Sequence, residues 1–341
     1  MKISIALPSN RTTDAALARI FELGSLDPTR FEVIVRDNSG DARKRQALES
    51  VKGPAVKLIF ATGAGPFENA IAAVRAATGD YIFPFADDDW LFARGLTSLY
   101  ELASAQLSDP KVAAITGVYL VESSRGCGPF SYEGIADATP LDRLQAFLNA
   151  NVANYLYYSA VKTNVARFCF DLLDVIPTHF SFHDQLLSLS YLAHGTVPRV
   201  GRLLYSYDIG EWETLQATLS KDRSMYAKAG LPKEIDRLHW LLCGLEGALL
   251  MRSARIETST GRANSDLGDL WFQFMFSRFV HLDRENGLEE TPLGLSTKRV
   301  RKKWADARSV DFSELLMDIT ETFEIANPAL GEAYFKFWSS L

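Results

Sequence analysis

Over the first hundred or so positions, short β-branched runs alternate with stretches that are apolar at helical spacing. Lys2–Leu7 (KISIAL) predicts a strand closed by Pro8-Ser9-Asn10. Thr12–Leu23 has helical periodicity, with Thr12 or Thr13 to cap it and Gly24 to stop it. Phe31–Val35 (FEVIV) predicts a second strand, followed by the polar loop Arg36–Asp41. Val56–Phe60 (VKLIF) predicts a third strand and Glu68–Ala77 an alanine-rich helix. Tyr81–Phe85 (YIFPF) predicts a fourth strand, which runs into Ala86-Asp87-Asp88-Asp89-Trp90. Such alternation implies an α/β fold, a mostly parallel sheet sandwiched by helices. Ligands of such sheets bind beyond the carboxyl ends of the strands, where the polar clusters at 8–10, 36–41 and 87–89 fall.

The mixed pattern continues with a helix over 96–107, a strand over 112–121, and helices over 140–150 and 182–194. Val197–Tyr207 reads as a strand pair or one bent strand. After about 215 the strand signal fades. Residues 235–251, 267–282 and 312–325 are apolar at helical spacing, and Asn327-Pro328 opens a last helix to Trp338. The expected organisation is an α/β domain over 1–215 and a helical region over 216–341.

Composition narrows the class. A chain of 341 residues with 47% apolar residues can bury a core without staples. The formal charge of −6 argues against wrapping nucleic acid, which requires phosphate neutralisation. Three scattered cysteines form no CxxC, excluding a thiolate zinc site and fitting a reducing compartment. The N-terminal apolar run is too short for a signal peptide, and the uncharged stretch 144–161 carries four amides, so a soluble cytoplasmic protein is expected.

The chemistry concentrates at the strand ends. Three adjacent carboxylates at Asp87–Asp89 repel one another and call for a countercharge, for which Mg²⁺ or Mn²⁺ with a substrate diphosphate is suited. The alternative is an exposed acidic loop that caps the next helix. Asp37 occupies a similar position, where a carboxylate can accept from a base or ribose, or simply close an Asp-Asn-Ser-Gly turn.

The set ISIALPSN, FEVIVRDNSG, Phe67-x-Asn69 with its alanine-rich helix, and ADDDW resembles the family 2 glycosyltransferases of the GT-A fold. The resemblance covers roughly residues 1–125 and extends more weakly to about 210 through His183-Asp184-Gln185. It implies a Rossmann-like GT-A domain with a helical C-terminal extension. It also implies that Pro8 and Ser9 line a base pocket, that Asp37 contacts the base and that Asn69 lies near the nucleotide. Asp87 and Asp88 would serve ribose and metal, Asp88 and Asp89 would hold the cation, and Asp184 would be the catalytic base. Two departures stand out: Ala86 replaces a common Asp, and His183 replaces the usual Glu before Asp184. His183 reads as an ordinary polar residue or as one that modulates the Asp184 base or contacts the metal or diphosphate, and His179 and His194 share no metal-ligand spacing with it.

The implied reaction is metal-dependent, inverting transfer from a nucleotide diphosphate sugar to a glycan or lipid-linked hydroxyl, with Asp184 taking the acceptor proton. Two rivals are a sugar nucleotidyltransferase, against which the glycine-free Pro8-Ser9-Asn10-Arg11 argues, and a catalytically silent sugar-nucleotide binder or scaffold. Cys127 reads as part of a surface hairpin. The aromatics of 154–158, Tyr207 and Trp212 could face a sugar ring or pack in a core. The basic run Lys298–Lys303 with Trp304 suits a solvated helix face, or peripheral contact with the inner face of a membrane. Trp271, Phe272, Phe274, Met275 and Phe276 form a run apolar nearly all round, a candidate homodimer surface.

Overall fold

The computed structural model describes residues 1–51, 53–124, 126–130, 133–137, 139–150, 156–177, 183–210, 213–228, 238–253, 261–282, 291–304 and 311–340. Asn154, Tyr155, His179, Phe182 and Trp212 lie outside them. The chain forms two compact units, Met1–Asp174 with Leu187–Glu213, and Val175–Leu186 with Thr214–Leu341.

The first unit is built on one nine-stranded sheet. Its first half follows the alternating pattern: β1 (Ile3–Ser9), α1 (Asp14–Leu23), β2 (Phe31–Asp37), α2 (Ala42–Val51), β3 (Val56–Phe60), α3 (Pro66–Ala76) and β4 (Tyr81–Pro84). Strands β3, β2, β1 and β4 lie side by side, all parallel. Ile3, Ser4, Ile5, Ala6 and Leu7 of β1 are all buried, and so are Val33, Ile34 and Val35 of β2, as expected of strands covered on both faces. Thr13 caps α1 by accepting from the Ala16 amide, 3.3 Å away.

The second half departs from a parallel plan. It comprises β5 (Trp90–Leu91), α4 (Ala93–Gln106), β6 (Ala114–Ser123), β7 (Gly126–Phe130), α5 (Pro140–Asn149), β8 (Ala160–Lys162), α6 (Thr163–Asp174), the part of α7 (His183–His194) from Leu187 onward, and β9 (Arg199–Asp208). β8 runs antiparallel between β4 and β6, β5 runs antiparallel to β9, and only β6 and β9 pair in parallel. The sheet is therefore mixed. The inverting strands β5 and β8 have two and three residues, too few to leave a period-2 signature in the sequence. β9 is a single strand whose pairing with β6 is irregular after Gly117 and after Val118. Cys127 is exposed in the β6–β7 hairpin.

In the second unit, every described element after Thr214 is a helix: α8 (Leu215–Lys228), α9 (His239–Arg252), α10 (Gly261–Leu282), α11 (Pro292–Trp304), α12 (Phe312–Ala326) and α13 (Pro328–Ser339). Asn327 caps α13 with Pro328 at its first position. Of the apolar run on α10, Trp271, Phe272 and Met275 are buried while Phe274 and Phe276 are half-buried, and the Trp271 indole donates to the Cys243 carbonyl of α9, 2.9 Å away. Trp304 is likewise buried and donates to Asp318 of α12 at 2.8 Å. In the basic run, Arg299 pairs with Glu321, and Lys303 with Glu314 and Asp318. Among the described residues no helix is long and apolar enough to cross a membrane.

Two sites yield sharp expectations for stability. Gly95 of α4 lies against β9, where an added Cβ would fall 2.2 Å from the Leu203 carbonyl oxygen. Gly→Ala in a helix normally gains up to ~1 kcal/mol, but here the backbone clash dominates. Gly95→Ala is expected to lower stability by about 1–3 kcal/mol in urea unfolding. Glu246 of α9 is buried, accepts from the Tyr334 hydroxyl at 2.6 Å, and has no partner for Oε2. Burial pushes its carboxyl up to about 8. The folded state therefore holds a proton that the unfolded state releases from its ordinary 4.5, and stability falls as pH rises through that window. Glu246→Gln is expected to raise stability by ~2–4 kcal/mol at pH 9, with the gain shrinking toward pH 5.

Candidate active site

The parallel register sets Ser9 of β1 directly beside Asp37 of β2 at the carboxyl edge of the sheet. After Asp37 the chain turns through Gly40, whose φ of +69° suits glycine, and Asp41 caps α2 by accepting from the Lys44 amide at 2.7 Å. This tight entry brings the Lys44 side chain back under the strand ends. Its ammonium is fully buried, 2.8 Å from Asp37 Oδ1 and 2.7 Å from Ser9 Oγ. Ser39 adds its hydroxyl and amide to Asp37 at 3.0 and 3.2 Å.

The chain of contacts continues into the acidic motif. Ser9 donates to Asp87 Oδ2 at 2.7 Å, and the Asn10 and Arg11 amides donate to the same oxygen at 3.1 Å each. The Arg11 guanidinium spans the motif, from Asp87 Oδ1 at 2.7 Å to Asp88 Oδ2. On the other side the Asp208 amide at the end of β9 donates to Asp89 Oδ1 at 3.2 Å. The motif is thus gripped by the ends of β1 and β9. Pro8, beside Arg36 in the register, is half-buried. Asn69 of α3 is buried, and both ends of its amide are engaged by Arg36, whose side chain donates to Oδ1 and whose carbonyl accepts from Nδ2.

The three carboxylates are not equivalent. Asp87 is saturated with donors. Asp88 is partly exposed, and burial outweighs Arg11 in raising its pKa. Asp89 is buried and its Oδ2 has no partner. Burial, with help from the charge of Asp88, pushes Asp89 up to about 7. Behind it stands an aromatic stack: Tyr158 packs on Phe85 and Tyr205, and Tyr205 lies flat on Tyr119, 5.0 Å between centroids.

Asp184 belongs to the second unit, in the first turn of α7. Its Oδ1 accepts from the Gln185 amide at 2.8 Å. Burial, opposed by that hydrogen bond and assisted by the charge of Asp222, pushes it up to about 7.

Residues 10–126 match the model of glycosyl transferase family 2. Over these residues the chain is similar to the family 2 glycosyltransferases. The whole fold resembles crystal structures of S. aureus TarS. For TarS 1-349 the TM-score is 0.54 at 14% identity, covering 97% of this chain and 82% of that one. For its complex with UDP-GlcNAc the TM-score is 0.55 at 14% identity, covering 97% and 83%. For the complex with UDP it is 0.50 at 15% identity, covering 99% and 88%. No curated protein sequence matches the chain at a significant level.

Within the matched segment, the donor set tests the expectation of a divalent cation. Among the described residues no three His, Cys, Asp or Glu side chains gather to hold a metal alone. Asp87 has no oxygen to spare. The partnerless Asp89 oxygen beside the partly exposed Asp88 fits a hard cation whose remaining ligands come from a diphosphate. Two residues of the site, Arg11 and Lys44, carry no functional motif in the sequence. Arg11 stood inside the strand-end segment, and the signal for Lys44 was a basic residue in the first turn of a helix directly after the Asp37 turn.

In Asp87→Asn the amide nitrogen must face a donor, and the charge-assisted bond to Arg11 is lost. Without ligand, urea unfolding is expected to show a loss of about 1–3 kcal/mol.

Proposed function

We propose that the chain moves a sugar from a nucleotide diphosphate sugar, with uridine diphosphate as the nucleotide, to a hydroxyl of a glycan or lipid-linked acceptor, with inversion at the transferred carbon. The observation that carries this reading is the row of carboxylates at the strand ends of the family 2 segment, Asp37 beside Ser9 and Asp88 beside Asp89. The choice of uridine draws on TarS, whose crystals hold UDP-GlcNAc and UDP.

Each residue then has a task. A carboxylate has about four acceptor positions. Asp37 uses three, on Lys44 and twice on Ser39, and can accept an N–H of the base with the fourth. Pro8 and Ser9 form the floor of that pocket, and Asn69 fixes Arg36 at its edge. Asp87 shapes the turn that presents Asp88 and Asp89 to ribose and diphosphate. A Mg²⁺ or Mn²⁺ held by Asp88 and Asp89 would supply Lewis-acid stabilisation to the departing diphosphate. Asp184 takes the proton of the attacking hydroxyl, and a carboxyl poised near 7 is matched to that work. A single base opposite the leaving group gives inversion.

The test is Asp184→Asn, which keeps the shape and cannot accept the proton. Turnover is expected to fall ~10²–10⁴-fold while UDP binding in calorimetry changes little. The wild-type pH profile should have an acid limb near pH 7, where Asp184 loses its proton, and the limb should vanish in the variant. Full transfer activity in Asp184→Asn with a confirmed acceptor would overturn the assignment.

A further inference from the structure

The buried Lys44 ammonium has a geometry that ordinary packing does not require. An ammonium only donates and a carboxylate only accepts, while a hydroxyl has a single proton. Lys44 donates to Ser9 Oγ, so the one proton of Ser9 is directed at Asp87, and the contacts bear this out at 2.7 Å each. Through its second contact Lys44 holds Asp37 Oδ1 at 2.8 Å, and Ser39 takes two further acceptor positions. One cation therefore dictates the hydrogen-bond polarity of both strand ends. It also leaves Asp37 an acceptor toward anything that enters.

We propose that Lys44 is a positioning residue that sets nucleobase specificity, by holding Asp37 as a pure acceptor and so favouring a base that presents a ring N–H. This proposal rests on the nucleotide-sugar reading given above. Uracil offers N3–H to such a carboxylate. Cytosine presents a bare N3, whose lone pair would face the carboxylate lone pair, so it is disfavoured. Lys44 reaches the ligand only through Asp37 and Ser9, so its signature is a change of base preference and not merely a loss of affinity.

The experiment measures the affinity of the full chain for UDP and CDP by calorimetry, in the wild type and in Lys44→Met, Lys44→Gln, Asp37→Asn and Asp37→Asn/Lys44→Gln. Circular dichroism and unfolding midpoints check folding. Lys44→Gln retains a donor without the charge and serves if Lys44→Met does not fold. The wild type should prefer UDP. Removing the ammonium should weaken UDP at least tenfold and narrow the UDP-to-CDP ratio at least threefold. Asp37→Asn should narrow it as well, and the double variant should be no worse than Asp37→Asn alone, because the two residues act as a unit. A folded Lys44 variant with a wild-type ratio overturns the proposal, whether or not affinity has dropped. If in that case Asp37→Asn still narrows the ratio, the failure belongs to Lys44 alone. Binding of neither nucleotide by the wild type overturns the nucleotide reading itself, and this proposal with it.

Discussion

The carboxyl edge of the sheet is organised by an ionic chain, buried from Asp37 through Lys44 and Ser9 to Asp87, that ends in the partly exposed Arg11 and Asp88. Isolated buried charges are costly, and breaking a buried pair leaves the survivor uncompensated. Each member of this chain has an opposite charge or an oriented hydroxyl beside it. The chain links the ends of β1 and β2, the start of α2 and the loop after β4. Four pieces of backbone with no covalent reason to meet are drawn to one edge. The order of charges along it also decides which carboxylates are committed to the fold and which remain for a ligand.

That division explains why three consecutive Asp residues have three roles. Asp87 is consumed by two backbone amides, a hydroxyl and a guanidinium. Asp88 shares Arg11 and keeps partial exposure. Asp89 is turned toward β9 with one oxygen unsatisfied. Burying two neighbouring carboxylates without full compensation raises both above the ordinary range, so this edge suits an incoming cation or a cluster of donors. In the helical unit the same physics acts on Asp184, whose burial and proximity to Asp222 carry it toward neutrality.

The helical unit buries Trp271, Trp304 and Tyr334 between helices, while Arg299 and Lys303 pair with a neighbouring helix at the surface. Trp271 ties α10 to α9, and Trp304 ties α11 to α12. Lys303 spans two acidic residues of α12, and Arg299 reaches a third. Tyr334 of α13 bonds the buried Glu246 of α9. Surface-like patterns in the sequence therefore serve here as helix-to-helix fastenings. Periodicity reports which faces of a helix are apolar and leaves open whether a neighbouring helix or a partner covers them.

While the order β3-β2-β1-β4 came from the structure, the sequence by itself determined the α/β alternation, the largely parallel character of the first strands, the helical C-terminal part and the strand-end location of Ser9, Asp37 and Asp87–Asp89. These features are carried by local periodicity, caps and the rule that such sheets present ligands at their carboxyl ends. Tertiary structure alone decided the rest. The antiparallel β5 and β8 exist because neighbouring strands pair with them, since their few residues have no period of their own. Lys44 and Arg11 became part of the site only when the turn at Gly40 and the loop at Asn10 folded their charges back across distances of 35 and 76 residues in sequence. Which of three identical side chains is fully engaged and which keeps an oxygen open depends on donors that arrive from β1 and β9. That is a property of three-dimensional neighbours, which a string of aspartates does not encode.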